Sequence, residues 1–252
     1  MNVIKSDIKR AIYSLEFALA GFGVCLSIII GGFNNLSMVF KSEGIQPEFH
    51  SEALLSALSS DIMLLVVPIF CAITYTTSFI DDWKTGYIKQ CLPRSGRAQY
   101  IKGKIVAAGF SGGMVLFLGI LTLQIVFALV FMPMEPAPQM DMQQKSMLAE
   151  VLAKAFIFFL SGMFWSLVGL ALSTITMSKY VAYASPFIIY YVLVIISTRY
   201  FKDVYCINPQ EWLNPRNYWP GGNLGIILFL VELITIAALL TSIAMSRRIE
   251  HA

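Results

Sequence analysis

Charge is what this sequence has least of. Across 252 residues only 13% are Asp, Glu, Lys or Arg, whereas 57% are hydrophobic. A soluble domain carries about a quarter of its residues as charges. The 18 Lys and Arg and 15 Asp and Glu are too few to give so much Leu, Ile, Val and Phe a water-facing surface, which excludes an ordinary soluble fold. Histidine is nearly absent too: His50 and His251 are the only two, and both lie in polar segments. Without a histidine at membrane depth there is neither a Ser-His dyad nor an HExxH metal site. An aspartyl pair fails as well, because Asp61 stands at the edge of the second apolar run and no other run holds an Asp. Cys25, Cys71, Cys91 and Cys206 are scattered singly, so no zinc site or disulfide framework is legible. There is no P-loop: Gly103-Lys104 is followed by Ile105 and has Ala98 where the first Gly of GxxxxGK belongs, so no amide cradle for phosphates is encoded. No catalytic group, metal or cofactor is expected in this chain. A net charge of +3 gives no basis for a nucleic-acid partner.

What is present is long apolar runs. They fall at roughly 14–33, 62–80, 105–131, 151–174, 180–198 and 223–246, each near the roughly 20 residues that a helix needs to cross a bilayer. None alternates as a barrel strand does. The expected fold is an all-α integral membrane protein with six transmembrane helices, forming a single transmembrane domain over residues 1–252. The opening MNVIKSDIKR mixes charges and precedes no convincing cleavage site, so it does not read as a cleavable signal peptide.

Orientation follows from counting Lys and Arg on alternate loops. One side holds twelve: Lys5, Lys9, Arg10, Lys84, Lys89, Arg94, Arg97, Lys102, Lys104, Lys179, Arg247 and Arg248. The other holds six: Lys41, Lys145, Lys154, Arg199, Lys202 and Arg216. Both termini are therefore expected in the cytoplasm. Ile4, Ile8 and Ile12 recur at four-residue spacing beside Lys5, Lys9 and Arg10. This reads either as an amphipathic interfacial helix on the inner leaflet or as an extension of the first span. Pro68 and Pro186 interrupt the second and fifth spans as kinks. Gly109 with Gly113, and Gly162 with Ser166, have the spacing of close helix contacts. Glu232 is the one acid well inside a span. It reads either as a functional carboxyl or as a group hydrogen-bonded to another helix.

The cytoplasmic loop 81–104, DDWKTGYIKQCLPRSGRAQYIKGK, carries six basic and two acidic residues. Positive-inside bias alone accounts for its charge. Trp83, Tyr87, Ile88, Cys91, Leu92, Tyr100 and Ile101 add apolar groups on the aqueous side, which something is expected to cover. The pattern predicts a short surface helix interrupted at Pro93 to Gly96.

The run from Gly86 through Leu92, Pro93, Arg94, Ser95 and Arg97 to Tyr100, Gly103 and Lys104 resembles the first cytoplasmic loop of the ABC type-2 permease family. Six spans, both termini inside, an amphipathic N-terminal helix and the lack of a P-loop agree with that resemblance over nearly the whole chain. Asp81 and Asp82 stand where the family more often has Glu, and Gly96 separates Ser95 from Arg97. The resemblance implies a coupling helix docking into a cytoplasmic ATPase subunit, with Gly86, Ile88, Leu92, Pro93, Arg94, Arg97, Tyr100 and Lys104 as coupling residues. It implies a pathway lined from the second and fifth spans by Thr74, Tyr75, Thr76, Thr77, Tyr183, Tyr190 and Tyr191, with Glu232 a further candidate. Outside, the segment 200–222 carries Trp212, Tyr218 and Trp219, which read as an aromatic belt; the resemblance implies short interfacial or re-entrant helices there, between spans five and six.

The function so implied is the permease subunit of an ATP-driven ABC exporter in a bacterial cell membrane. Two ABC ATPase subunits, holding ATP and Mg, and a second permease copy or homologue would complete it. The cargo would be amphipathic: an antimicrobial or toxic peptide, a lipid-linked glycan or a drug. A non-transport membrane scaffold or sensor partner of an ATPase, or an ATP-independent channel or carrier, are the other classes.

Overall fold

The computed structural model of the chain describes residues 3–39, 47–136 and 147–250. Lys41 and Lys145 of the less basic side, and His251, lie outside the described residues. Among the described residues the protein is all-helical, and six helices are long and apolar enough to cross a membrane. A bilayer core has no water to satisfy backbone amides, so apolar runs of this length close their hydrogen bonds within themselves as helices.

Helix α1 (Val3–Ile12) is separated from α2 (Leu15–Val39) by a turn at Tyr13 and Ser14. The Ser14 hydroxyl accepts the Phe17 amide at 3.1 Å, which starts the new helix. The first turns are therefore a helix of their own, not an extension of the first span. It packs along α7 (Arg97–Phe131), with Asp7 and Ala11 inward and Lys5, Lys9 and Arg10 outward. At the opposite end of the bundle, α3 (Phe49–Leu58) lies against α2, α7 and α8 (Met147–Thr176). Its N-terminus is capped from a distance: the Glu135 carboxylate accepts the amides of Glu48 at 3.1 Å and His50 at 2.8 Å and pairs with the His50 ring. This places a negative charge where unsatisfied amides and the helix dipole favour one.

The second span is two helices, α4 (Asp61–Ile73) and α5 (Ser78–Lys84), joined by a turn over Thr74–Thr77. The helix ends at these threonines, and α4 runs through Pro68 without ending. Hydroxyls explain the position, because Thr side chains compete with the helix for its own carbonyls. Thr74 donates to the Cys71 carbonyl at 3.1 Å, Thr76 donates to that of Ala72, and the freed Thr76 carbonyl accepts Ser173 Oγ of α8 at 2.9 Å. The loop helix α6 (Tyr87–Ser95) likewise runs through Pro93, where an interruption was expected, and ends at Gly96. Gly86 and Gly96 have φ of 72° and 76°, a region open to glycine at little cost, and they set the two corners of the loop.

Helices α7 and α8 form the central pair. Their closest approach is at Gly112 and Gly113 against Gly162 and Ser166: a Cβ on Gly162 would lie 2.6 Å from the Gly112 carbonyl oxygen. Ser166 Oγ also donates to the Ala108 carbonyl at 2.8 Å. Gly109, expected at this crossing, is set slightly to one side, where a Cβ would make ordinary 3.6 Å contacts with Leu167 and Met163. Helix α9 (Lys179–Arg199) continues through Pro186 and packs on α4 and α8. The short helix α10 (Pro209–Leu213) and the long α11 (Asn223–Glu250) complete the bundle against α8.

Candidate functional site

The least expected feature sits where α1, α5 and α7 meet. Lys104, on the second turn of α7, is wholly buried. Its ammonium nitrogen lies 2.7 Å from Asp82 Oδ2 of α5, 3.4 Å from Asp7 Oδ1 of α1 and 3.2 Å from the Tyr75 hydroxyl of the helix break. Tyr75 donates to Asp7 Oδ1 at 3.0 Å, and Tyr100 donates to Asp82 Oδ2 at 3.0 Å. Both rings also face the ammonium, at 5.0 and 5.6 Å, a cation–π arrangement. From the rim Arg10 closes on Asp82 Oδ1 at 2.9 Å. Two carboxylates thus face two cations, and the charge balances inside the protein as burial demands. Burial disfavours charge on Arg10, but the Asp82 hydrogen bond and the nearby Asp7 outweigh it and raise its pKa above the usual guanidinium value.

This cluster ties together three pieces distant in sequence: the N-terminal helix, the half-helix after the threonine break, and the start of the third span. Further ties hold the same end of the bundle. Lys179 of α9 pairs with Asp81 at 2.5 Å, Arg97 bonds the Ser246 carbonyl and pairs with Glu250 at 2.9 Å, and Arg248 donates to the Ile175 carbonyl at 3.2 Å. Helix α1, loop 81–104 and the last turns of α11 therefore share one end of the bundle. A polar cleft of about 370 Å³, lined by Arg10, Glu16, Tyr75, Thr77 and Asp81 among others, opens beside the cluster.

The eight loop residues offered for coupling divide accordingly. Ile88, Tyr100 and Lys104 are buried inside the chain itself, so none of them presents a side chain to a second protein. Leu92 is half-buried and Arg97 is engaged by α11. Pro93 and Arg94 are exposed, Gly86 forms the first corner, and the outer edge of α6 is completed by Tyr87, Lys89 and Gln90. The apolar groups expected to await a partner are mostly covered by this chain: Ile88, Tyr100 and Ile101 belong to a core with Phe79, Ala107 and Ala11. Only Tyr87, 41% exposed, leaves a large apolar side chain of the loop in the open.

The residues offered for a pathway differ in exposure. Thr74, Tyr75, Thr76, Thr77 and Tyr190 are buried in the bundle, Tyr183 is half-buried, and Tyr191 is 37% exposed. Glu232 faces outward from α11, and its carboxylate has no partner among the described residues. Of its two readings, the hydrogen bond to another helix finds no partner among the described residues. An ionised group at the centre of a spanning helix costs about 2.5–3.5 kcal/mol. Glu232→Leu is therefore expected to raise the fraction of α11 that inserts, read by protease protection of tags on either side of the helix; an unchanged fraction would mean that the acid is already neutral or covered.

In the outer segment, Trp212 and Trp219 are packed into the core, not set out as a belt, whereas Tyr218 is 85% exposed. Trp212 lies parallel to Trp165 of α8 at 6.1 Å between ring centres, and its indole donates to the Cys206 carbonyl at 2.8 Å. Trp219 packs edge-on to Tyr205 and tilted against Phe229. Buried Glu211 braces the following turn by accepting the amides of Arg216 and Asn217 at 2.9 and 3.1 Å. Nothing in the sequence pattern marked Asp7, Asp82 and Lys104 as a set. Their one signal was that each is a charge beside an apolar run. Compared with known proteins, the chain matches no family model and no curated protein sequence.

Proposed function

We propose that this chain is the membrane-spanning subunit of an ATP-driven exporter of the ABC type-2 kind, working with separate ATPase subunits at its basic end. The observation that supports this reading is the way α6 is mounted. Its outer edge offers Tyr87, Lys89, Gln90, Pro93 and Arg94 to a partner, while its inner edge is seated on Ile88 and its neighbours are locked by the buried Lys104 cluster. A push on that edge would pass to α5 and α7 without being absorbed by a loose loop, and α5 hinges from α4 at the threonine break. Such a lever between a surface helix and a broken spanning helix suits rigid-body switching driven from outside the membrane. Two copies are needed in this reading, since most of the offered pathway residues are buried against their own chain and six helices alone make a poor enclosed route. An amphipathic cargo, a peptide first among them, fits a chain with a single acid at membrane depth.

The test is purification of the tagged chain from its native membranes with bound proteins identified. A P-loop ATPase and ATP hydrolysis inhibited by vanadate are expected to copurify. Lys89→Glu combined with Arg94→Glu is expected to release that ATPase while the chain keeps its elution volume and melting temperature, because both side chains are exposed. A fully retained ATPase would remove the loop from the interface; absence of any nucleotide-hydrolysing partner would overturn the exporter reading.

A further inference from the structure

A groove of about 730 Å³ runs between α8, α9 and α11, and no residue of the loop or of the buried cluster lines it. That volume is within the roughly 300–1,000 Å³ of clefts that hold small ligands. Its walls are apolar, with Phe164, Leu172, Ile189, Leu233, Ala237 and Leu240 among them, and it ends at Arg247 and Arg248. Two features give it a direction and a length. The α11 residues that line it are apolar from Leu233 to Ala244, which at 1.5 Å per residue is about 16 Å. That equals one leaflet of a hydrocarbon core about 30 Å thick. The guanidinium groups follow within one turn, at the level where headgroups begin. Arg247 is exposed and has no carboxylate within ion-pair distance among the described residues, and Arg248 is held only by the Ile175 carbonyl. Ile236, Leu240 and Ile243 stay about half exposed, so no other helix of the chain closes the groove.

We propose that this groove binds an anionic glycerophospholipid from the leaflet at the basic end, with one acyl chain along α11 and the phosphate against Arg247 and Arg248. Charge complementarity selects this occupant. A guanidinium matches a phosphate with two parallel hydrogen bonds, and a helix of another subunit filling the groove would have to bring its own acids to the same point. The proposal does not depend on the exporter reading, because lipid is the solvent of this face whatever the chain transports.

Native mass spectrometry of the purified full chain, titrated with phosphatidylglycerol or phosphatidylcholine of identical chains, tests it. One phosphatidylglycerol per chain is expected to be retained about ten-fold more tightly than phosphatidylcholine, since each basic side chain near a headgroup favours anionic lipid. Arg247→Gln with Arg248→Gln is expected to abolish that preference while leaving weak retention of both lipids. Leu240→Trp, which fills the groove, is expected to reduce retention of both. Equal retention of the two lipids by the parent chain, or a preference that survives the double arginine change, would overturn the proposal. So would a Leu240→Trp chain that keeps its lipid and loses a dimer, which would make the groove a subunit interface. The arginine variants decide the matter alone if Leu240→Trp does not fold.

Discussion

Lys104→Met is expected to be among the most damaging single substitutions, lowering stability by about 3–5 kcal/mol, the usual result of removing one partner from a buried ion pair. Asp82 would keep only Arg10 at the rim and the Tyr100 hydroxyl, and Asp7 only the Tyr75 hydroxyl. Two carboxylates drawn to one ammonium would then share a site from which water is excluded. The measurement is the fraction of monodisperse protein left after heating in detergent, as a melting curve. Adding Asp82→Asn to Lys104→Met is expected to recover part of the loss, since it removes the charge left without its cation. A Lys104→Met chain that melts with the parent would show that the cluster is not a load on the fold. Lys104→Arg is not a neutral control, because a planar fork does not fit the place of a compact ammonium between two tyrosine rings.

The second large effect is expected at the α7–α8 crossing. Gly162→Ala puts a methyl group 2.6 Å from a backbone oxygen of Gly112 and 3.0 Å from the Gly113 Cα. Backbone cannot rotate away as a side chain can, so the two helices must separate. Overpacking of this kind costs about 1–3 kcal/mol, and here the displacement also loosens the Ser166 bond to Ala108. Gly109→Ala, one turn along α7, meets only side-chain carbons at 3.6–3.7 Å and is expected to change stability by less than about 0.5 kcal/mol. The same melting assay separates the two glycines. Equal effects would mean that the helices cross elsewhere.

These two sites differ in how far they could be read in advance. Small residues at four-residue spacing announced that the third and fourth spans pack closely, and they do. Gly113, Gly162 and Ser166 lie at the crossing and Gly109 does not, while Gly112 joins it, because spacing specifies a stripe along a helix but not the point at which two stripes cross. For the second span the opposite happened. Pro68 is the obvious breaker in the sequence, yet α4 accommodates it and the break falls at Thr74–Thr77. A proline removes one donor that the preceding turn tolerates, whereas successive hydroxyls and a bond donated by Ser173 of α8 to the Thr76 carbonyl give the backbone another way to be satisfied. That donor is 97 residues away and invisible to local pattern.

Composition and periodicity alone determined that this chain is helical and that six of its helices are long and apolar enough to cross a membrane, because the length of an apolar run and the thickness of a bilayer are local quantities; the third helix begins at Arg97, eight residues before its apolar run, since helix continues into polar residues where hydropathy does not. The asymmetry of Lys and Arg also emerges at one end of the bundle, where α1, loop 81–104 and the end of α11 meet. Tertiary structure decided which charges face water and which do not. Lys104 and Arg94 are both basic residues of one loop in the sequence, but Lys104 is enclosed by Asp7, Asp82, Tyr75 and Tyr100, and Arg94 is open to a partner. Tertiary structure likewise left Glu232 on an outward face and turned Trp212 and Trp219 inward. The physical reason is common to all of these. A charge or an indole has several environments of similar energy within reach, and only the packing of helices far apart in the chain chooses among them.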